Sequence, residues 1–437
     1  MDFSSAKIKI NRWLIALILG LSLGFSYEPP YIRYTFHEQF TNILGYTDTQ
    51  LGLMISVYGT VALVFYIIGG VSADKFSCRT LIIISLLGSA LGCGVMATYP
   101  PFWVALGVQA LFVVTTIGLL WSPVYKVGAL LGTQKEQGKI LPMISSFEGV
   151  GAFITTLSCT TIYAMIGGDQ YIGGLRVVYL VYAAWGVLIA LCTYLFVPEK
   201  TLYEEVQDEV KDEEPVDKKA AHAILIEVLK NPMTWIAAFI VLGSYICYSA
   251  LTYSQSYLVD IFGMDMTKAS FFTIVRNQVM KIVAGPLSVV LMSTAILKSS
   301  PTRLCVVTGC LSIVGLIATL FIPGNPSVLP LVMGGAVILS LFALLGKAQN
   351  FACTGETGVD PKIFGTMTGV VSIVGYSSDV WLYVVCGRWQ ETLEPAAAYR
   401  NIHMLALAGC VLMIVSGLLL LARLKKHGIS VYDKDEK

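Results

Sequence analysis

Arg276, Asn277, Gln278 and Lys281 stand close together in a stretch that is otherwise apolar, with Gly285-Pro286 one turn further on. Charged side chains at membrane depth are costly unless paired or hydrated, which marks each one there as a functional candidate. At about 100° per helical residue, Asn277, Gln278 and Lys281 share one helix face, whereas Arg276 points about 140° away from Lys281. That face offers one ammonium and two amides. Such a set supplies counter-charge and hydrogen bonds together, which suits a hydroxylated, carboxylated or phosphorylated small molecule. The alternative is structural: Arg276 and Lys281 neutralise Glu148, Glu356 or Asp379 as buried pairs.

Three carboxylates are candidates for carrying a proton. Glu148, in Ser145-Ser146-Phe147-Glu148-Gly149-Val150-Gly151, falls about two turns inside a helix, where Gly149 and Gly151 permit close packing. Its structural alternative is a hydrogen bond to a neighbouring helix. Asp379 follows Gly375-Tyr376-Ser377-Ser378 near the middle of an apolar run. Glu28 belongs to Tyr27-Glu28-Pro29-Pro30-Tyr31-Ile32-Arg33, where proline ends a helix and frees backbone carbonyls beside two aromatic rings. Glu28 and Arg33 can also form a pair in the outer interface. Lys126, after Trp121-Ser122-Pro123-Val124-Tyr125, either binds a substrate anion or snorkels to the membrane face. Glu356 and Asp360 read as solvated loop charges.

Helices must position all of these groups. The 437 residues are 56% hydrophobic and only 13% charged, against about 25% in ordinary soluble chains, so the chain is an integral membrane protein. Apolar runs recur at Trp13–Pro30, Leu51–Val71, Leu81–Thr98, Phe102–Leu130, Ile140–Ile166 and Leu175–Val197. Six more follow near 233–258, 267–293, 304–322, 328–346, 365–387 and 401–422. Each is long enough to cross a hydrocarbon layer of about 30 Å at about 1.5 Å per residue. The fold expected is all-α, with twelve transmembrane helices in two six-helix bundles, 1–197 and 232–437. Between them, 198–231 is a mixed-charge linker with a short amphipathic helix near Ile224 to Leu229.

Of the 29 Lys and Arg, 22 fall in the tails, in loops on the same side, or at the adjoining helix ends. By the positive-inside rule both termini are cytoplasmic. Net charge of +1 and the lack of a basic aromatic stripe give no case for nucleic acid. The ten Cys lie singly, without a metal-like cluster, and read as small packing residues. No framed nucleophile or Walker loop appears, so an enzyme is not expected, no cofactor is implied, and transport would draw on ion or substrate gradients.

The turn between the second and third helices reads Gly70-Val-Ser-Ala-Asp74-Lys75-Phe-Ser77-Cys-Arg79-Thr80. It resembles the loop signature of the major facilitator superfamily of transporters, with Ser77 in place of a Gly and Thr80 in place of a basic residue. Asp74 can cap a helix or pair with Arg79 to latch one conformation, with Gly70 allowing close approach; Lys75 and Arg79 can instead be membrane-face anchors. The corresponding turn of the second half, Met292 to Leu304, lacks the acidic signature. Trp121-Ser122-Pro123 with Lys126, followed by Lys135-Glu136-Gln137-Gly138, resembles the organophosphate:phosphate antiporter branch. The Asn277-Gln278-x-x-Lys281-x-x-x-Gly285-Pro286 run is similar to bacterial inner-membrane permeases of unassigned substrate.

The resemblance implies a monomer in the bacterial inner membrane. It takes a small-molecule substrate near the midplane and rocks between two states, with a proton or an exchanged substrate as driver. In the organophosphate branch two basic residues, from the first and seventh helices, meet the phosphate. Here Arg33 or Tyr31 fills the first place and Tyr248 the second, since the seventh helix holds no Lys or Arg.

Overall fold

The computed structural model describes residues 3–131, 134–168, 173–198, 225–350, 352–357 and 361–426. Every regular element among them is helical. Eleven segments are long and apolar enough to cross a membrane: the first span Arg12–Leu44, second Asp48–Phe65, third Cys78–Met96, fourth Phe102–Gly128 and sixth Gly174–Phe196. The seventh to twelfth are Pro232–Phe262, Met266–Met292, Pro301–Leu320, Pro326–Gly355, Thr366–Thr392 and Pro395–Lys426. Gln134–Met165, a helix of 32 residues, occupies the fifth place. The protein is thus an all-α, multi-pass membrane protein.

By proximity along the backbone the chain divides into two compact units, Met1–Glu214 with Met266–Ile274, and Pro215–Asp265 with Val275–Lys437. Of the polar linker, 225–230 is helical, with Val228 buried and the flanking side chains exposed; 199–224 lies outside the described residues.

Local chemistry sets where spans begin. Thr47 caps the second with a reciprocal Gln50 bond, and Asn231 and Ser300 cap the seventh and ninth with proline at the next position, where a missing N–H costs nothing. Ser77 caps the third span at φ −58° and accepts from the Thr80 N–H at 3.4 Å. A negative φ removes the need for glycine there, which accounts for the departure from the loop signature.

Packing is tightest where glycine removes a side chain. A Cβ on Gly24 would lie 2.4 Å from the Glu148 carbonyl oxygen and 2.6 Å from the Ala152 nitrogen, so the first and fifth spans touch backbone to backbone. In the second unit Gly243 and Gly409 do the same for the seventh and twelfth spans, with a Gly243 Cβ 2.6 Å from the Gly409 oxygen. Lipid offers no hydrophobic driving force between helices, so such close approach is what dispersion and small residues must provide. Leu91, Trp103 and Val314 are exposed on the spans' outer faces.

Several spans are interrupted, and two interruptions correct the sequence expectations. The first span does not stop at Pro29-Pro30. These residues open a 3-10 turn, Pro29–Tyr31, and the chain continues as the helix Arg33–Leu44, in which Arg33 through Phe40 are all buried. Asp379 is not at mid-helix: the helix ends at Gly375, and Ser377–Val380 form a 3-10 turn before Leu382–Thr392 resumes. A Cβ on Gly375 would lie 2.3 Å from Val241 Cγ1, so the seventh span presses on the eleventh where it breaks. The fourth and eighth spans carry π-helical stretches, Val114–Trp121 and Val275–Val279. The first of these precedes Pro123, which donates no N–H to its preceding turn.

Candidate functional site

In the first unit the polar groups gather around the break in the first span. The Thr156 hydroxyl donates to Glu28 Oε2 at 2.6 Å, and Gln109 Nε2 donates to the Pro30 carbonyl, a backbone acceptor at the break, at 3.2 Å. Arg33 is 5% exposed, which places it in the interior and not in a surface pair, with its guanidinium carbon 5.9 Å from the Tyr34 ring centre. Tyr31 stacks on Tyr34 at 5.3 Å and meets Tyr58 edge-on at 5.1 Å. Tyr27, Trp121 and Tyr125 continue the aromatic series at 6.1 and 4.7 Å. The π-helical part of the fourth span is held by neighbours: Ser85 Oγ donates to the Thr115 carbonyl at 2.7 Å, and Tyr58 bonds Thr116 Oγ1 at 2.7 Å.

Lys126 donates to the Ala73 carbonyl at 2.9 Å, tying the fourth span to the end of the helix Asp48–Lys75, which carries the second. Arg79 donates from Nη2 to the Tyr194 carbonyl at 2.5 Å and lies 4.8 Å from the Tyr194 ring centre. It therefore joins the third span to the last turn of the sixth, where carbonyls lack helical partners. Gly70 is helical; the side chains of Asp74, Lys75 and the 132–142 segment, including Gln137, lie outside the described residues. Glu148 is half-buried on the fifth span.

In the second unit the seventh span breaks after Leu251 and restarts at Ser254. Arg276, 1% exposed, donates from Nη1 to the freed Leu251 carbonyl at 3.0 Å and to Ser340 Oγ at 3.3 Å. The π-helical stretch takes more residues per turn than an α-helix, so Arg276 and Lys281 stand closer in angle than the expected 140°. Burial also separates the expected trio: Gln278 is buried, Asn277 half-buried and Lys281 exposed.

A second polar cluster joins the seventh, tenth and eleventh spans. The Tyr245 hydroxyl donates to Asp379 Oδ2 at 2.9 Å. The Lys347 ammonium sits 3.6 Å from the Tyr248 ring centre and 5.3 Å from that of Tyr245, and Tyr376 meets Tyr245 edge-on at 4.7 Å. Lys347 was missed from sequence because the apolar run ends at Gly346, whereas the helix extends to Gln349. Its signal was a lone Lys between Gly346 and Ala348 followed by Gln349-Asn350, amides that bond Ser288 at 2.8 Å and Ser244 at 2.9 Å. Glu356 corrects another expectation. It is 2% exposed, not a solvated loop charge, and accepts from the Thr302 N–H at 2.9 Å and from the Thr302 hydroxyl. Asp360 lies outside the described residues.

Comparison with known proteins gives this arrangement its context. The inner membrane protein YqcE of Escherichia coli K12 is 31% identical over 415 residues, covering 95% of this chain and 96% of its own. The inner membrane protein YihN of the same strain is 25% identical over 381 residues, covering 86% of this chain and 87% of its own. Among solved structures, that of the nucleoside transporter NupG superposes with a TM-score of 0.69 at 13% identity, covering 95% of this chain and 99% of NupG, and so shares its fold. The family model for the Major Facilitator Superfamily matches residues 10–383. Eleven membrane-length helices among the described residues with Gln134–Met165 in the fifth place, a loop signature after the second, and that match over most of the chain make this protein a membrane transporter belonging to the major facilitator superfamily.

Proposed function

We propose that the protein is a secondary active transporter that moves a small polar anion, of the sugar-acid or sugar-phosphate kind, by alternating access, driven by a proton or by exchange. The observation that carries this reading is the pair of interruptions in the first helix of each half, at Pro29–Tyr31 and after Leu251, each beside a buried guanidinium, Arg33 or Arg276. Broken helices in corresponding positions of two repeats mark substrate sites in transporters. Tyr31, Arg33, Tyr248, Arg276, Asn277, Gln278, Lys281 and Lys126 are the candidate cargo ligands. Glu28, Glu148 and Asp379 are the candidate proton carriers. The resemblance to the organophosphate branch puts Tyr248 at the place of that branch's second basic residue, and the Lys347 ammonium on the Tyr248 ring supports this reading.

In this reading both termini face the cytoplasm of a bacterial cell, and Asp74 with Arg79, Gly70 and Lys75 forms a latch on that side. An Asp74→Asn variant with unchanged transport rate removes the latch. The aromatic series from Tyr27 to Tyr125 favours a second reading, an exporter of amphipathic compounds. A thermal-shift screen of purified wild-type protein separates the two. Stabilisation by sugar acids, sugar phosphates, small carboxylates or inorganic phosphate supports anion transport, whereas stabilisation by amphipathic cations alone overturns it.

A further inference from the structure

Lys347 is unusual in what it lacks. Among the described residues its ammonium meets no hydrogen-bond acceptor and no carboxylate at pairing distance, and rests on the faces of Tyr248 and Tyr245 instead. An ammonium has three donors, and ring faces offset its charge without using them. Asp379 is the complement. Its Oδ2 accepts from Tyr245, while its Oδ1 is buried with no hydrogen-bond partner, as is the adjacent Ser378 Oγ. Asp379 is 5% exposed. The two charges are thus held apart by one phenol, Tyr245, which touches both.

This separation sets a charge balance for whatever enters. With Lys347 cationic and Asp379 ionised the cluster is neutral. One added negative charge at Lys347 leaves the cluster at −1, unless one proton joins Asp379. Buried net charge is strongly disfavoured, so the two events are linked. The proton's place is Oδ1, because Oδ2 is already occupied by the Tyr245 hydroxyl. Other titratable or charged groups face this turn sparsely. The turn's own Tyr376 packs on Tyr245, and the seventh span adds Tyr248, with Cys247 turned to Cys410 on the twelfth; the helix after the break adds Tyr383 and Cys386, with Arg388 and Glu391 exposed toward its far end. The helix before it, Pro361–Gly375, adds none among the described side chains. Arg276 is committed to Leu251 and Ser340, two helical turns along the tenth span from Lys347.

Resting on the anion-transport reading above, we infer that Lys347 is the anchor for the cargo's negative charge and Asp379 its proton partner. The cargo class is then a monovalent anion such as a sugar acid, bound with one proton, in preference to a phosphate ester dianion. Nothing in the sequence pattern assigned Lys347 a role.

The test uses full-length protein in detergent with gluconate, glucose 6-phosphate and inorganic phosphate as probes, read by thermal shift and by proton uptake in weakly buffered solution. Gluconate is expected to stabilise wild type and to bind with about one proton. Asp379→Asn should bind gluconate without proton uptake and without pH dependence. Lys347→Gln should bind about ten- to a hundredfold more weakly, the worth of a charge-assisted bond, while Lys347→Arg, which keeps charge and ring contact, retains part of the affinity. Wild-type gluconate affinity in Lys347→Gln, or undiminished proton uptake in Asp379→Asn, overturns the inference. Stabilisation by glucose 6-phosphate or phosphate but not gluconate overturns it too, and leaves the broader anion reading standing. No response of wild type to any anion removes both.

Discussion

Glu356→Ala should weaken the second unit through one helix end. The ninth span begins at Pro301, so its first-turn donors can be accounted for one by one. Pro301 has none, the Thr302 N–H goes to Glu356, the Arg303 N–H to Ser300 Oγ at 3.3 Å, and the Leu304 N–H to the Ser300 carbonyl at 3.2 Å. Removing the carboxylate therefore strands the Thr302 N–H and hydroxyl, both buried. Two bonds to a charged acceptor are worth about 1.5–3 kcal/mol each, partly offset because a buried carboxylate no longer has to be desolvated, giving a net loss of about 2–4 kcal/mol. At about 2–4 °C per kcal/mol for a body of this size, the melting temperature should fall by about 4–16 °C. Glu356→Gln keeps one acceptor oxygen and should lose about half of that, as should Thr302→Val, which keeps its N–H. The double variant Glu356→Ala/Thr302→Val should be less destabilised than the sum of the two single changes, because the pair shares its bonds. Thermal unfolding in detergent reads all four variants against wild type. A Glu356→Ala melting temperature within about 1 °C of wild type, or strict additivity, refutes the cap.

Three further outcomes follow from the packing. Gly24→Leu should abolish folded protein in a detergent size-exclusion assay, since even its Cβ meets fifth-span backbone, whereas Gly94→Ala, with open space around it, should elute as wild type. Arg79→Lys should lose the stacking on the Tyr194 ring and weaken the bond to the Tyr194 carbonyl, lowering thermal stability by about 1 kcal/mol with Arg79→Ala no worse than about 2. Arg276→Gln should lower uptake of the cargo anion at least about tenfold in proteoliposomes, and Arg276→Lys should restore part of it, because one ammonium can supply both bonds that Nη1 makes to Leu251 and Ser340 but sits one bond closer to the backbone.

The helices were legible because their signal is summed over some twenty residues, and a run such as Phe102–Leu130 has no other reading in an apolar chain. The interruptions were not. Pro29-Pro30 announced a break but not that Arg33–Leu44 would follow as a buried helix, since Arg33, His37, Glu38 and Gln39 look like loop residues. His37 is in fact bonded to Asp48 at 2.7 Å. Nothing local told that Val275–Val279 would be π-helical, so a face drawn at 100° per residue grouped Gln278 with Lys281 where burial divides them. Glu356 and Lys347 failed for one reason: each lies between the apolar runs 328–346 and 365–387, where composition cannot separate a solvated stretch from one folded back under a neighbouring helix.

The glycine contacts divide the two halves mechanically. In the first, the leading helix is welded to the fifth span at Gly24; in the second, its counterpart is welded to the twelfth at Gly243 and Gly409. Two copies of one six-helix plan have thus chosen different rigid cores. A stress entering at the leading helix travels in one half through the helix that carries Glu148, and in the other through the twelfth span and, at Gly375, through the broken eleventh span that carries Asp379. In both halves a handful of missing side chains decides which helices are locked together.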